Sequence, residues 1–314
     1  MEKATVIALS GPTACGKTRL GVLLAKRYDG EVVSCDSMQL YRGMTIGTAA
    51  PTEEEMEGVP HHMVAVAEPE EAYSVARFVE EADRCVQEIL RRGKRPILVG
   101  GTGLYMDALI RGNAFAAGES GGAVRRELYD RLAREGIEPL YAELARIDPE
   151  TAARLHRSDE KRILRAIEVY RETGETMTQH NAASRLGEDR YRAVRLALAF
   201  ADREDMKRLI DRRVDRMAEA GLLREVETLM ARGLPRSSTA WQAIGYKEFL
   251  QVYDGEATVE QALEEIRLRS RQYAKRQLTW LRRQQPHWIC WGKERDFAWA
   301  LQKATEILTA EGVV

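Results

Sequence analysis

The residues best suited to chemistry lie near the start of the chain, in a glycine-rich loop that ends in a lysine and a threonine. Residues 11–18 read GPTACGKT and match the phosphate-loop pattern G-x-x-x-x-G-K-[ST]. In such a loop the backbone N–H groups face an anion, the lysine adds a positive charge, and the final hydroxyl is suited to Mg²⁺. We therefore predict magnesium as cofactor, with Thr18 as its protein ligand. The predicted phosphate site consists of Gly11, Pro12, Thr13, Ala14, Cys15, Gly16, Lys17 and Thr18.

A carboxylate, Asp36, ends the next predicted strand, residues 31–36. The carboxyl ends of strands form the ligand crevice of an open α/β sheet, so Asp36 is expected to point towards the phosphate loop. Three roles are open for it: a metal ligand, a catalytic base, or a structural cap of a helix or turn. Its predicted place beside the phosphate site favours chemistry. The third strand ends in Gly100, Gly101 and Thr102 and offers no second carboxylate.

The strongest basic feature is the segment 267–283, which contains no acidic residue. Tyr273 and Trp280 are interleaved with its basic residues, which are Arg267, Arg269, Arg271, Lys275, Arg276, Arg282 and Arg283. A helix of this kind offers charges for phosphates and aromatic rings for base stacking. The alternative is a helix that packs its apolar side on the core and only solvates the rest. Because the chain has a net charge of −1, a nucleic acid would be held by such a local patch rather than by a global field.

The elements that must position these residues alternate between strands and helices. Predicted strands cover 6–9, 31–36, 95–102, 191–200 and 287–291, and helices cover 19–27, 72–92 and 203–220, the last capped by Asp202. Between about 113 and 192 only charged, helix-favouring segments occur, at 124–134, 139–146 and 159–172. This order of predicted elements indicates an α/β fold: a P-loop NTPase-like parallel sheet flanked by helices, with an all-helical insertion domain. The predicted domains are a core in two parts, 1–114 and 191–314, and an insertion, 115–190.

Composition places the chain among globular proteins of a reducing compartment. With 314 residues and 44% hydrophobic content it can bury a substantial core. Its four cysteines are far apart and form no C-x-x-C pair. No apolar run approaches the 18 residues or so of a membrane span, and the phosphate loop begins too early to leave room for a signal peptide. We therefore expect a cytoplasmic protein with no membrane partner.

Several ordered motifs give the chain a family resemblance that runs from about residue 5 to residue 291. It resembles the tRNA dimethylallyltransferases, which move a five-carbon prenyl group from dimethylallyl diphosphate to the N6 amine of the adenosine beside the anticodon. The motifs are GPTACGKT (11–18), DSMQLYRGMTIGTAAP (36–51), PHH (60–62), YSVARF (73–78), PILVGGTGLY (96–105), LH with RILRAIEV (155–156 and 162–169), AIGYKE (243–248) and YAKRQLTWLRR (273–283).

This resemblance implies a role for each matching residue. The phosphate loop would hold the diphosphate of the prenyl donor rather than ATP, Asp36 would be the general base for the adenine amine, and Arg213 would stabilise the diphosphate. The implied partners are the anticodon stem-loop of tRNA and dimethylallyl diphosphate, and we expect a monomer. Together with the basic segment, the resemblance predicts RNA contacts at Asp36, Ser37, Met38, Gln39, Thr102, Arg125, Lys161, Arg162, Ile163, Leu164, Arg165, Gln242, Lys247, Lys275 and Arg276.

The chain departs from the family pattern mainly before Arg125. Residues 116–122 read AAGESGG, where family members usually have prolines and an aspartate, which affects the start of the insertion and the role of Arg125. Thr45 and Ala50 also stand where Asp and Lys are common. Three alternatives remain open: a small-molecule P-loop kinase, a prenyltransferase acting on free adenine nucleotides, and a non-catalytic RNA-binding protein. A kinase has no need of the basic segment, and intact Lys17, Thr18 and Asp36 oppose the non-catalytic alternative.

Overall fold

A computed structural model describes residues 3–112, 122–186, 188–292 and 294–313. Its sheet has six strands, all paired in parallel, in the order β3-β2-β4-β1-β5-β6. The strands are β1 Thr5–Ser10, β2 Gly30–Ser34, β3 His61–His62, β4 Arg95–Gly100, β5 Arg192–Phe200 and β6 His287–Trp291. The parallel α/β sheet predicted from the alternation of elements is confirmed.

Fourteen α-helices occur in the described residues, together with one 3₁₀ helix at Thr239–Gln242. In chain order the α-helices are α1 Lys17–Arg27, α2 Glu53–Met56, α3 Val75–Arg91, α4 Gly103–Arg111, α5 Ala123–Glu135, α6 Ile137–Ile147, α7 Pro149–Arg154, α8 Glu160–Thr173, α9 Met177–Leu186, α10 Arg203–Glu219, α11 Leu222–Ala231, α12 Tyr246–Tyr253, α13 Val259–Arg283 and α14 Phe297–Ala310. Within the described residues, no helix combines the length and apolar character needed to cross a lipid bilayer.

The chain divides into two compact units, Met1–Gly112 with Arg190–Val314, and Asn113–Asp189. The predicted boundary at 114 and 115, and the segment 116–121 that departs from the family, lie outside the described residues. The second unit is built from α5 to α9, and its described residues include no strand. Its core contains Leu128, Leu140, Leu144, Ile163 and Ile167, each fully buried.

Alternation along the strands gives the first unit two apolar cores, one on each face of the sheet. On β1, Val6 and Ala8 belong to one core, while Ile7 and Leu9 belong to the other. Helices α1 and α14 supply buried residues to the second core, whereas α3, α4 and α10 to α13 supply the first. Both faces are therefore covered, which explains why the strands read as continuous apolar runs.

The strand order brings the predicted chemistry together because β4 lies between β1 and β2. The segments after β2 and β4 are joined by backbone hydrogen bonds: Cys35 N donates to Val99 O at 2.8 Å, and Thr102 N donates to Cys35 O at 3.2 Å. Asp36 and Thr102 thus leave the sheet side by side, at the edge where β1 gives way to the phosphate loop.

Sequence patterns missed the shortest elements, including α2, α7 and β3. The two residues of β3, His61 and His62, pair with β2, and His62 Nε2 lies 2.7 Å from Glu31 Oε2. Burial alone would raise the pKa of Glu31, but hydrogen bonds from His62 and Arg92 outweigh it and hold that pKa below its usual range. The contact between His62 and Glu31 therefore holds β3 at the edge of the sheet, and we assign no metal to these histidines.

A single carboxylate, Glu225 on α11, holds the loop that follows Asp36. Its oxygens accept hydrogen bonds from Thr45 N (2.8 Å), Thr45 Oγ1 (3.0 Å), Ile46 N (2.9 Å) and Gly47 N (3.2 Å), and from the hydroxyl of Tyr246 on α12. Hydrogen bonds from backbone N–H groups to a carboxylate are stronger than those to a neutral acceptor. Glu225 is therefore the anchor of residues 45–47.

We predict that Glu225→Gln lowers the free energy of unfolding by about 1–3 kcal/mol, because an amide cannot accept from every donor and its own N–H₂ group would face N–H groups. Urea unfolding followed by circular dichroism would measure the change. Glu227→Gln is a matched control, since Glu227 is an exposed residue of the same helix. Equal midpoints for the two variants would show that Glu225 does not anchor the loop.

Candidate active site

The phosphate loop joins β1 to α1, and a glycine in the left-handed conformation precedes the helix. Gly16, at the N-cap of α1, has φ of +90°, and a Cβ built there would lie 2.8 Å from the Phe297 ring. Only glycine adopts that conformation in so little space without strain. Lys17 Nζ donates to Gly11 O at 3.0 Å and to Pro12 O at 2.9 Å. Its third donor makes only a weak contact, with Cys15 Sγ at 4.0 Å, so an anion in front of the loop would be a stronger acceptor for it.

The carbonyls of the loop are held by residues from the end of the chain. Trp291 Nε1, at the end of β6, donates to Cys15 O at 2.9 Å, and an Arg295 N–H donates to Ala14 O at 3.2 Å. Together with Gly11 O and Pro12 O, which accept from Lys17, four loop carbonyls have side-chain partners. Sequence reasoning missed Trp291 and Arg295. Their contacts depend on the strand order β1-β5-β6, which brings the end of β6 near the phosphate loop.

The segments that contain Asp36 and Thr102 lie side by side next to the phosphate loop. Asp36 Oδ1 accepts from Met38 N at 3.0 Å, so the carboxylate also caps the turn that follows it. Thr102 Oγ1 accepts from Ser37 N at 3.1 Å and lies 3.3 Å from Ser37 Oγ. The structure thus joins Asp36, Ser37 and Thr102, as predicted for one edge of the sheet. Asp36 is half-buried, and its second carboxylate oxygen accepts no hydrogen bond from the described residues.

Gln39 supports the same loop from inside. Its side-chain oxygen accepts from Ser34 Oγ at 3.0 Å, and its Nε2 donates to Ala49 O at 3.0 Å. Both ends of the amide are therefore used within the protein. Gln39 positions the residues around Asp36, and its predicted contact with RNA would have to use the remaining hydrogen-bonding capacity of the amide.

Two tyrosines lie in the electric field of Asp36. Burial, together with Tyr41 and the Asp36 charge, raises the pKa of Tyr105 to about 12. Burial and the same carboxylate also raise the pKa of Tyr273 on α13, and a hydrogen bond with Thr102 partly offsets the rise. Both hydroxyls stay neutral at physiological pH, so the carboxylate is the acid–base group of this edge.

Arg213 reaches the crevice from α10. The half-buried guanidinium donates to Thr48 O at 3.4 Å, on the loop anchored by Glu225 and Gln39. Loss of water lowers its pKa, while the Asp36 carboxylate opposes that shift. It remains a cation because arginine does not deprotonate in proteins. The arrangement places a fixed positive charge in the field of Asp36, and the role of Arg213 in stabilising a diphosphate stays a prediction.

More positive charge surrounds the phosphate loop than the sequence motif indicates. Burial lowers the pKa of Arg295, and the nearby charges of Arg216, Arg212 and Arg19 lower it further. Arg19 also lies over the Phe297 ring, 4.7 Å from its centroid. No carboxylate lies within ion-pair distance of these four arginines among the described residues. Such a cluster favours a multiply charged anion at the loop.

A narrow apolar recess lies between the loop, the end of β4 and α13. It is lined by Ser10, Gly11, Gly100, Gly101, Thr102, Gly103, Met106, Gln277, Trp280 and Leu281. No water-sized sphere fits inside it. The Trp280 ring packs against Gly103, where an added Cβ would lie 2.3 Å from it, so a small apolar group would enter only if that ring moved. The recess opens directly beside the phosphate loop and Thr102.

Acidic partners neutralise the first half of the basic segment, which was expected to be free for phosphates. Arg271 makes two hydrogen bonds to Asp211 of α10, at 2.8 and 2.6 Å, and Arg267 binds Asp215 of the same helix at 2.5 Å. Arg269 pairs with Glu265 at 2.6 Å. A phosphate could contact these three arginines only by displacing their carboxylate partners, so their contact with RNA stays a prediction.

The second half of the segment remains available. Lys275, Arg276, Arg282 and Arg283 are exposed and have no ion pair with any described residue, and Arg276 lies over the Tyr273 ring. Gln242 and Lys247, predicted as RNA contacts on and after the 3₁₀ helix, are exposed as well. These six side chains therefore stay candidates for RNA.

The helical unit carries the remaining predicted contacts. A pocket on it is lined by Arg125, Leu128, Tyr129, Lys161, Leu164, Arg165 and Glu168. Arg125 binds the buried Glu168 with two hydrogen bonds of 2.8 Å, and Arg165 binds it at 2.7 Å. Burial would raise the pKa of Glu168, but these two arginines hold it below its usual range.

These contacts separate the predicted RNA-contacting residues of the helical unit into groups with different surroundings. Arg125 is committed to Glu168, whereas Lys161 and Arg162 are exposed and Leu164 forms part of the pocket wall. The prediction for Ile163 needs correction, because its side chain is fully buried in the core of the helical unit.

The described residues offer magnesium few protein ligands beside the phosphate loop. The Thr18 hydroxyl is half-buried at the first turn of α1 and makes no hydrogen bond within the described residues. Those residues contain no cluster of three His, Cys, Asp or Glu side chains that could hold a metal alone. Mg²⁺ commonly takes one or two protein oxygens together with substrate phosphates and water, and one free hydroxyl beside a phosphate loop suits that mode.

Comparison with known proteins agrees with this geometry. The tRNA dimethylallyltransferase of Geobacillus kaustophilus is 45% identical over 308 residues, which cover 98% of this chain and 95% of that protein. The crystal structure of the full-length tRNA isopentenylpyrophosphate transferase of Bacillus halodurans matches with a TM-score of 0.71 and 39% identity, covering 99% of this chain and 98% of that one. A eukaryotic dimethylallyltransferase acting on tRNA matches with a TM-score of 0.82 and 28% identity, covering 99% and 79%.

Two family models also match the sequence. The model of the isopentenyl transferases matches residues 4–66, which contain the phosphate loop and Asp36. The model of the IPP transferases matches residues 39–284, from the loop after Asp36 to the end of α13. The chain therefore belongs to the IPP transferase family.

Proposed function

We propose that this protein is a tRNA dimethylallyltransferase, which transfers the dimethylallyl group of dimethylallyl diphosphate to the N6 amine of the adenosine beside the anticodon. The observation that carries the proposal is the placing of a phosphate loop, an apolar recess and a carboxylate at adjacent strand ends. Family membership and the relatives described above support the same activity.

The phosphate loop suits the donor's leaving group. When the C–O bond of the donor breaks, the diphosphate departs with the electron pair as a multiply charged anion. Backbone N–H groups of the loop, Lys17 and Arg213 stabilise that charge as it develops. Magnesium, held by Thr18 and the diphosphate oxygens, would add neutralising charge when bound. The five-carbon tail would enter the recess beside Gly101 as the Trp280 ring moves aside.

Asp36 suits the acceptor. An adenine amine is a poor nucleophile because its lone pair is delocalised into the ring. As the new C–N bond forms between the donor carbon and N6, the proton on N6 passes to the Asp36 carboxylate. The target adenosine would have to leave its stacked loop to reach this crevice, between the Asp36 edge and the exposed cations of α13. In this proposal the protein acts as a monomer.

The kinase alternative has less support than transfer to RNA. A kinase must accept ATP in front of the loop and has no use for an apolar recess behind it or for exposed cations on α13. The free-nucleotide prenyltransferase shares the loop and Asp36, and the isopentenyl transferase model matches only that part of the chain. The match of the IPP transferase model through α13 favours the RNA substrate.

The activity itself is tested by incubating the protein with dimethylallyl diphosphate and tRNA and analysing the nucleosides by mass spectrometry. We expect one adenosine to gain a five-carbon group. The variant Asp36→Asn should lower turnover by about 10²–10⁴, the usual contribution of a positioned acid or base. It should still be protected against heat by inorganic diphosphate. A full-rate Asp36→Asn enzyme would remove the assignment of the general base.

The donor is tested by heat stability. In the presence of Mg²⁺, we expect dimethylallyl diphosphate to raise the melting temperature more than ATP does at the same concentration, because stabilisation follows affinity for the native state. Removing Mg²⁺ with a chelator should reduce the shift. Lys17→Ala, which deletes the loop's charge, is the control for binding at the loop. A larger shift with ATP would favour the kinase alternative.

The RNA-binding surface is tested by salt dependence. Fluorescence anisotropy of a labelled anticodon stem-loop should give an affinity that falls linearly with salt in log–log form, and losing one phosphate contact should reduce the slope by about 0.7–0.9. We expect that reduction for Arg282→Ala. Arg269→Ala is the matched control, since it removes the same charge from the same helix but from an arginine paired with Glu265. Equal slopes for wild type and Arg282→Ala would place the RNA elsewhere.

A further inference from the structure

Gln277 is a buried polar side chain of α13 that lines the apolar recess, and none of the roles above uses its hydrogen bonds. Only 7% of its surface is exposed, and both ends of its amide are bound. Its Oε1 accepts from Thr13 N in the phosphate loop at 2.8 Å, and its Nε2 donates to Gly101 O at the end of β4 at 3.0 Å. A Cβ added at Gly101 would lie 2.2 Å from that nitrogen, so the glycine allows the close approach.

The bond to the phosphate loop acts on a peptide unit that also holds Lys17. The planar unit between Pro12 and Thr13 gives its N–H to Gln277 and its carbonyl oxygen to Lys17 Nζ, at 2.9 Å. In a trans peptide these two groups point in opposite directions. Fixing the N–H therefore fixes the direction of the carbonyl, and with it the position of the lysine that faces the anion.

The bond to β4 acts on the other side of the crevice. Gly101 directly precedes Thr102, whose hydroxyl accepts from Ser37 N next to Asp36. One amide thus connects the segment that positions Lys17 with the segment that positions the Asp36 edge. Both connections start from α13, whose Lys275 and Arg276 are exposed and make no ion pair within the described residues.

We infer that Gln277 is a positioning residue through which RNA bound to α13 and diphosphate bound to the phosphate loop affect each other's affinity. This inference rests on the proposed function. The helix that contacts RNA carries the side chain that orients Lys17, so a small shift of α13 moves the Pro12–Thr13 unit and changes how well Lys17 meets phosphate. Thermodynamic linkage requires the effect to be equal in both directions.

The experiment measures the affinity for inorganic diphosphate with Mg²⁺ by calorimetry, with and without a saturating anticodon stem-loop. Inorganic diphosphate is used because it permits no turnover. We expect the stem-loop to change the wild-type dissociation constant of diphosphate by about fivefold or more. Gln277→Met, which has a similar length but no hydrogen-bonding amide, should bring that ratio to about one, within the scatter of such measurements.

Gln272→Met is the matched control, because Gln272 is an exposed glutamine on the same helix, and its ratio should equal that of wild type. Gln277→Glu serves if Gln277→Met does not fold: it keeps the acceptor for Thr13 N but loses the donor to Gly101 O, and its ratio should also fall. A wild-type ratio of one, or a wild-type ratio in the folded Gln277 variants, would overturn the inference while leaving the proposed function intact. Failure of the wild type to bind either probe would instead overturn both.

Discussion

The structure depends on one constraint, that a phosphate loop which offers N–H groups to an anion must find hydrogen-bond donors for its carbonyls. A buried carbonyl without a partner costs about as much as a lost hydrogen bond, so such a loop is stable only if the carbonyls find donors elsewhere. Lys17 donates to two of these carbonyls, and Trp291 and Arg295 each donate to one more. The loop at the start of the chain is thus completed by residues from its end.

That dependence explains the strand order. A loop after β1 can be reached from both sides only if β1 lies inside the sheet, and here it lies between β4 and β5, with β6 next to β5. The β4 side brings Thr102 and, through β2, Asp36. The β6 side brings Trp291 to the carbonyl of Cys15. The same parallel topology therefore serves two purposes, positioning of the carboxylate on one side and support of the phosphate loop on the other.

Much of this could be predicted from the sequence, and the limits have physical causes. Strands with continuous apolar runs, the phosphate loop and Asp36 were found because each is a local pattern set by backbone geometry or burial. Gln277, Trp291 and Glu225 were not, because each acts on a partner far along the chain and its residue type alone does not distinguish a buried hydrogen-bonding role from an exposed one. The short strand β3 was missed for the related reason that two residues carry too little periodicity to be recognised.

The basic helix α13 shows the same limit for charge. Within the segment 267–283 there is no acid, and counting along the sequence makes every arginine a candidate for phosphate. In the fold, α10 lies against the first half of that segment and brings Asp211 and Asp215 to Arg271 and Arg267. An arginine held by two short hydrogen bonds to a carboxylate must give up those bonds before it can bind a phosphate, so exchange offers little net gain. On α13, the positive charge without acidic partners therefore begins at Lys275, next to Gln277 and the crevice. Binding of a polyanion there can change the position of the phosphate loop.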